Sequence, residues 1–387
     1  MTRLTLINDE GQLAPYTLQG RVLAPPAPGV RFNRIAYSAA HVVADPRAAI
    51  DPWLQCAIDW DATIAYRRRL WSLGLGVAEA MDTAQRGMGL DWPTSLELIR
   101  RSLEAAKSMP GARIASGCGT DHLDIESVRS IDDVIRGYEE QMAAIEALGG
   151  RLILMASRAL ARVAKSPADY EKVYDRVLRQ AREPVIIHWL GDMFDPALAG
   201  YWGSRDVHAA MDTAVGIIRA HVAKVDGVKI SLLDKDKEIA MRRRLPAGVR
   251  MYTGDDFNYA ELIAGDEHGY SDALLGIFDP IAPAVGGALA SLSRNDLATF
   301  HDILAPTVPL SRHIFKAPTR FYKTGVVFMA WLNGHQDHFV MVGGQQSTRS
   351  IRHFSELFRL ADKAGLLRDP ELAATRMRTL LALHGVA

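Results

Sequence analysis

Cysteine is nearly absent: Cys56 and Cys118 are the only two in 387 residues. Two thiols supply neither a disulfide framework nor a cysteine metal cage, and they suit a reducing cytoplasm. Neither sign of charge is in excess, since 45 basic side chains face 45 acidic ones, so no global field draws the chain to nucleic acid or to an anionic membrane. Long apolar runs are missing as well. The N-terminal MTRLTLINDEGQLAP lacks the apolar core of a signal peptide, and the most apolar long stretch, Tyr270 to Leu292, is broken by Asp272, Asp279 and two prolines. There is no low-complexity segment or close repeat, and no nicotinamide fingerprint, phosphate loop or zinc signature. These absences leave a cytoplasmic protein whose partner is a small-molecule substrate. No cofactor, nucleic acid or membrane is expected, and the chain is expected to assemble as a homo-oligomer.

What is present is a strand-and-helix alternation long enough for one large barrel. Leu4 to Leu18 alternates around the turn signal Asn8-Asp9-Glu10-Gly11 and predicts a hairpin, followed by a joint rich in proline at Pro25, Pro26 and Pro28. Short apolar runs then recur between stretches of helical period: IAYSA, GVAEAM, ARIASG, RLILMAS, PVIIHWL, GVKISLL, VRMYTG and YSDALLGI. Eight such runs with helices between them predict a (β/α)8 TIM barrel over 34–294. The hairpin appendage occupies 1–33, and a helical layer follows over 295–387, where no chemistry is expected. One helix is explicit: Ser130 is placed to cap a stripe of Ile131, Val134, Ile135, Tyr138, Met142, Ile145 and Leu148 that ends at Gly149-Gly150. The charge runs Asp234 to Glu238 and Arg242 to Arg244 are expected on solvated faces.

Reactive groups of such a barrel sit at the C-terminal ends of its strands. The sixth run carries Lys229 between Val228 and Ile230. Alternation puts Lys229 and Ser231 on one face and the two apolar residues on the other. If the lysine face is indoors, desolvation lowers its pKa toward the neutral amine that forms a Schiff base. Other strand ends are also polar: His41 follows the first, Asp82-Thr83-Ala84-Gln85-Arg86-Gly87 the second, Gly117-Cys118-Gly119-Thr120-Asp121-His122 the third, His188-Trp189 the fifth and Gly254-Asp255-Asp256 the seventh.

The order GVKISLLDKD, then YTGDDFNYAELIAGDEHGYSDALLGIFDP, resembles the superfamily of dihydrodipicolinate synthase and N-acetylneuraminate lyase. ASGCG and GRLILMAS resemble its third and fourth strands. The resemblance implies a divergent bacterial branch with a lysine-dependent lyase, an aldolase or dehydratase, acting on a keto acid or keto sugar. Its catalytic residues would be Lys229, His188 and Thr83. The departures are specific: the Gly-Thr-Thr-Gly-Glu turn of that superfamily is here Asp82-Thr83-Ala84-Gln85-Arg86, and its strand-five tyrosine is His188, which puts pyruvate as substrate in doubt.

His188 is suited to proton transfer near neutral pH. Asp82, Trp189, Gly254, Asp255 and Asp256 are candidates for substrate binding, although the last two equally read as a turn held by an Asx bond. A second chemistry stays open, a metal-dependent lyase or isomerase with Asp82, Asp121, His122 and His188 as ligands. No compact ligand spacing supports it, and His335 and His338 are read as part of a surface loop. A third reading is a barrel that binds a sugar-like ligand without turning it over.

Overall fold

The computed structural model describes residues 2–25 and 30–386; Pro26 and Pro28 of the joint lie outside them. The strands β1 (Arg3–Ile7) and β2 (Leu13–Thr17) form the antiparallel hairpin, with Leu4 opposite Tyr16. The barrel follows as β3 (Ala36–Ala39), α1 (Trp60–Ser72), β4 (Gly76–Glu79), α2 (Trp92–Ala106), β5 (Ile114–Cys118), α3 (Ile131–Ala147), β6 (Leu152–Leu154), α4 (Arg158–Val163), α5 (Pro167–Gln180) and β7 (Val185–Leu190). It continues through α6 (Val207–Ala220), β8 (Val225–Ser231), α7 (Lys235–Arg242), β9 (Arg250–Thr253), α8 (Tyr259–Ala264), β10 (Asp272–Leu275) and α9 (Ala282–Leu292). The eight strands β3 to β10 are parallel and close in sequence order, with β10 returning to β3. All eight coincide with the apolar runs. The C-terminal layer holds α10 (Leu297–Leu304), α11 (Thr307–Ile314), α12 (Tyr322–Leu332), α13 (Ile351–Lys363) and α14 (Pro370–Leu383). No helix among the described residues is long and apolar enough to cross a membrane.

Strand alternation divides the core into two shells. Tyr37, Ala78, Ala115, Ile153, Ile186, Tyr252 and Leu274 fill the barrel interior, whereas Val77, Ile187, Val228, Ile230 and Met251 join the larger core beneath the helices. Each inward residue is therefore flanked along its strand by neighbours that face out. The floor of the barrel is closed by the Tyr37 and Tyr252 rings, 6.1 Å apart. Gly227 admits the Tyr252 ring: a Cβ there would lie 2.6 Å from it.

The helix read from Ser130 is α3, and its Ser130–Asp133 capping box satisfies two orphan amides, worth roughly 1 kcal/mol. The charge run Asp234 to Glu238, expected on a solvated face, turns one of its members inward. Glu238 is buried, accepting from Thr253 Oγ1 at 2.9 Å and Ser271 Oγ at 2.7 Å. Periodicity missed it because α7 has a single turn of apolar signal. The hairpin is tied to the C-terminal layer, since Tyr16 Oη and the Gln19 amide both donate to Asp362, at 2.6 and 2.9 Å.

Candidate active site

Lys229 points indoors. It lies opposite His188 on β7 and Tyr252 on β9 in the strand register, so it stands directly above the tyrosine floor. Its side chain is buried, and no described residue gives its amine a hydrogen bond or an ion pair. Burial lowers its pKa from the usual lysine value, against the opposing pull of Asp82 and Asp256. His188 shares the inward face, with Nε2 3.4 Å from Ser231 Oγ. Burial, reinforced by the Lys229 charge, holds its imidazole well below the ordinary range, so the ring is neutral.

The turn after β4 contributes Thr83, whose hydroxyl is 2.8 Å from the Tyr322 hydroxyl. That phenol comes from the first residue of α12, so the C-terminal layer reaches the mouth. The layer expected to stand apart from the chemistry thus lies against the barrel mouth. The reason is packing: Tyr322 stacks on Phe315 at 4.3 Å and meets Phe194 edge-on at 6.2 Å. Gly276, just past β10, leaves the space, because a Cβ there would lie 3.0 Å from the Tyr322 ring and 3.3 Å from Thr83 Oγ1. Burial and the nearby Asp82 push the phenol pKa well up, so its proton stays on oxygen.

The acidic candidates separate into two groups. Asp256 belongs to the site: its carboxylate accepts from the Ile277 amide at 2.9 Å and faces Lys229. Burial raises its pKa to about 7, partly offset by the Ile277 amide and Lys229. Burial thus drives Lys229 and Asp256 both toward their neutral forms, while the attraction between them opposes it. Asp255 is the turn residue instead. Its carboxylate accepts from the Phe257 and Asn258 amides and from Asn258 Nδ2, at 2.8, 3.0 and 2.7 Å. Gly254 serves the close approach of β9 to β8, since a Cβ would lie 2.3 Å from Ser231 Oγ. Trp189 alternates with His188 and therefore faces out, packing on Trp202 at 6.1 Å. It does not line the mouth, so stacking on a substrate is excluded for it.

Asp82, Asp121 and His188 line one cavity of about 290 Å³ at the mouth, with Arg86, Thr120 and Arg158 among the other walls. The four proposed metal ligands are not assembled there. Asp121 is held bidentately by Arg86, at 3.0 and 2.8 Å, and His122 Nδ1 is turned to Gln141 Nε2 at 2.8 Å. Among the described residues no group of three His, Cys, Asp or Glu side chains comes together as a ligand set. His335, expected in a surface loop, is largely packed away, its ring 5.2 Å from Tyr66.

The family described as "Protein of unknown function (DUF993)" matches residues 4–386. The chain belongs to this family. No curated protein matches it. Among solved structures, dihydrodipicolinate synthase from Thermotoga maritima aligns with a TM-score of 0.64 at 14% identity, over 87% of this chain and 100% of that one. A chloride-inhibited dihydrodipicolinate synthase from Acinetobacter baumannii, complexed with pyruvate, gives 0.61 at 14%, over 87% and 100%. A monomeric dihydrodipicolinate synthase variant gives 0.63 at 13%, over 86% and 97%. The resemblance drawn from the sequence is borne out as a shared fold.

In this DUF993 member Tyr322 and Lys323, on α12, are residues of the mouth that escaped the sequence reading. A signal was available. Every residue of α12 is buried, yet the helix opens on Tyr-Lys-Thr, and polar side chains at the start of a wholly buried helix need partners inside the protein.

Proposed function

We propose that this chain is a Schiff-base lyase of the aldolase or dehydratase type, acting on a keto acid or keto sugar. The observation that carries the reading is Lys229: an inward, buried amine at the C-terminal end of a barrel strand, free of any partner among the described residues. A structural lysine in that position would be paired, because an unpartnered buried ammonium is costly. A nucleophilic lysine gains from the same burial, since only the neutral amine attacks a carbonyl carbon.

In the proposed step the Lys229 lone pair attacks the substrate carbonyl carbon, the carbonyl oxygen takes up a proton, and loss of water leaves an iminium. The positive nitrogen then accepts the electron pair released when the neighbouring carbon loses its partner group or proton. Asp256, with its pKa near 7, takes the ammonium proton at the start. The Thr83–Tyr322 hydroxyl pair is the donor to the departing water, because both groups hold their protons. His188, held neutral, is an acceptor and not a store of protons. The Acinetobacter baumannii neighbour complexed with pyruvate supports a small carbonyl compound as the class of substrate. The turn that differs is occupied otherwise here: Gln85 Nε2 donates to Val342 O at 2.7 Å and Arg86 is engaged with Asp121. This supports a substrate other than pyruvate. No observation favours the metal-dependent alternative.

The test is borohydride capture with a panel of keto acids and keto sugars. A reduced adduct is expected at Lys229, and Lys229→Arg is expected to lose both adduct and turnover, because arginine stays protonated. Full activity in the arginine variant, abolished by a chelator, would move the case to metal chemistry.

A further inference from the structure

A second chamber of about 350 Å³ adjoins the first and shares Asp82, Arg86, Arg158 and Asp195 with it. Its outer wall is Arg320 and Lys323, just before and within the first turn of α12. The charges of this wall are unevenly satisfied. Arg86 is spent on Asp121, and Arg158 pairs with Asp195. Lys323 is 5% exposed, yet its ammonium meets only Met88 Sδ at 3.3 Å and the Arg320 carbonyl at 3.1 Å, with the Tyr322 ring 4.8 Å away. A thioether is a weak acceptor, so a three-donor cation is left short. The Arg320 guanidinium lies over the Phe321 ring at 4.9 Å and has no carboxylate within 4.0 Å among the described residues. Burial brings the Lys323 pKa down to about 8, against the opposing pull of Asp82 and Asp195.

Asp82 completes the arrangement. It lines both chambers, has no ion-pair partner among the described residues, and acts electrostatically on Lys229 and on Lys323 alike. Asp82 thus acts on both buried amines, Lys323 in the wall of the second chamber and Lys229 on the inward face of β8. Carboxylates accept from hydroxyl groups, and adjacent lysine and arginine cations bind oxyanions.

We infer that Lys323 and Arg320 form an anion subsite, so that the substrate is a hydroxylated ketone whose far end carries a carboxylate or phosphate. Its carbonyl lies at Lys229, its hydroxyls face Asp82, and its oxyanion pairs with the two cations of the C-terminal layer. The orientation rests on the Schiff-base reading; the subsite itself does not.

The experiment has two arms, both on the full chain. Calorimetry with inorganic phosphate and with acetate measures the subsite alone: binding of at least one is expected, weakened tenfold or more by Lys323→Met and by Arg320→Ala. Borohydride capture at Lys229 then compares dihydroxyacetone with dihydroxyacetone phosphate, and 2-butanone with levulinate. The anionic member of one pair is expected to be captured at least tenfold faster, with that advantage lost in both variants. Which pair discriminates tells phosphate from carboxylate. Equal capture within both pairs, or anion binding untouched by either substitution, overturns the subsite. Anion binding that depends on Lys323 with no capture of any carbonyl keeps the subsite and overturns the Schiff-base reading instead. Arg320 is exposed, so Arg320→Ala decides the question even if Lys323→Met does not fold.

Discussion

Lys229→Met is expected to make the protein more stable and inactive at once. Methionine is close to lysine in length and needs no hydrogen bond, whereas the Lys229 amine is buried without a described partner. Taking such a charged group out of water costs about 1–3 kcal/mol, which Asp82 and Asp256 offset in part, and the substitution should recover the remainder. The pH dependence has a definite sign. The folded-state pKa of Lys229 is depressed below the unfolded value of 10.5, so its contribution to stability is present above 10.5 and is lost as pH falls toward the folded pKa. The advantage of Lys229→Met over the native chain should therefore grow on going from pH 10 to pH 7. Urea unfolding at several pH values measures this, read as a shift in midpoint at constant slope, and turnover is assayed on the same preparations. Destabilisation by Lys229→Met would mean that the amine is paired structurally, and retained turnover would mean that it is not the nucleophile. Either result refutes the reasoning.

Tyr322→Phe removes only the hydroxyl bonded to Thr83; turnover should fall about 10²-fold while borohydride capture at Lys229 persists, and unchanged turnover would dismiss the phenol. Glu238 is raised from 4.5 to about 8 by burial, so its contribution is full below pH 4.5 and is lost as pH rises toward 8. Glu238→Gln should therefore stabilise the chain at pH 8.5 by at most about 5 kcal/mol and change it little at pH 4.5, as checked by urea midpoints at the two pH values.

The barrel was legible because it is written in local pattern. Eight apolar runs of strand length separated by helical periodicity have few other ways to bury their faces, and Ser130 with Asp133 marks a helix start wherever the chain goes. Lys229 was legible for the same reason: alternation between Val228 and Ile230 fixes its face once the outer core is known. Alternation also carried the error in Trp189. As the neighbour of His188 it must face the other way, and only the closed barrel decided which of the two looked inward.

Proximity across long sequence separation was not legible. Thr83 and Tyr322 are 239 residues apart and meet in one hydrogen bond; Asp82 and Lys323 share a chamber wall over a similar distance. Periodicity reports which face of an element is apolar, not which distant element covers it. The sequence by itself therefore determined the strands and that Lys229 and Ser231 share one face, opposite Val228 and Ile230; the closed barrel decided that this face is indoors. The tertiary structure alone decided that the C-terminal layer folds over the mouth and brings Tyr322 and Lys323 to it, because that outcome depends on how α12 packs against the ends of β4 and β10.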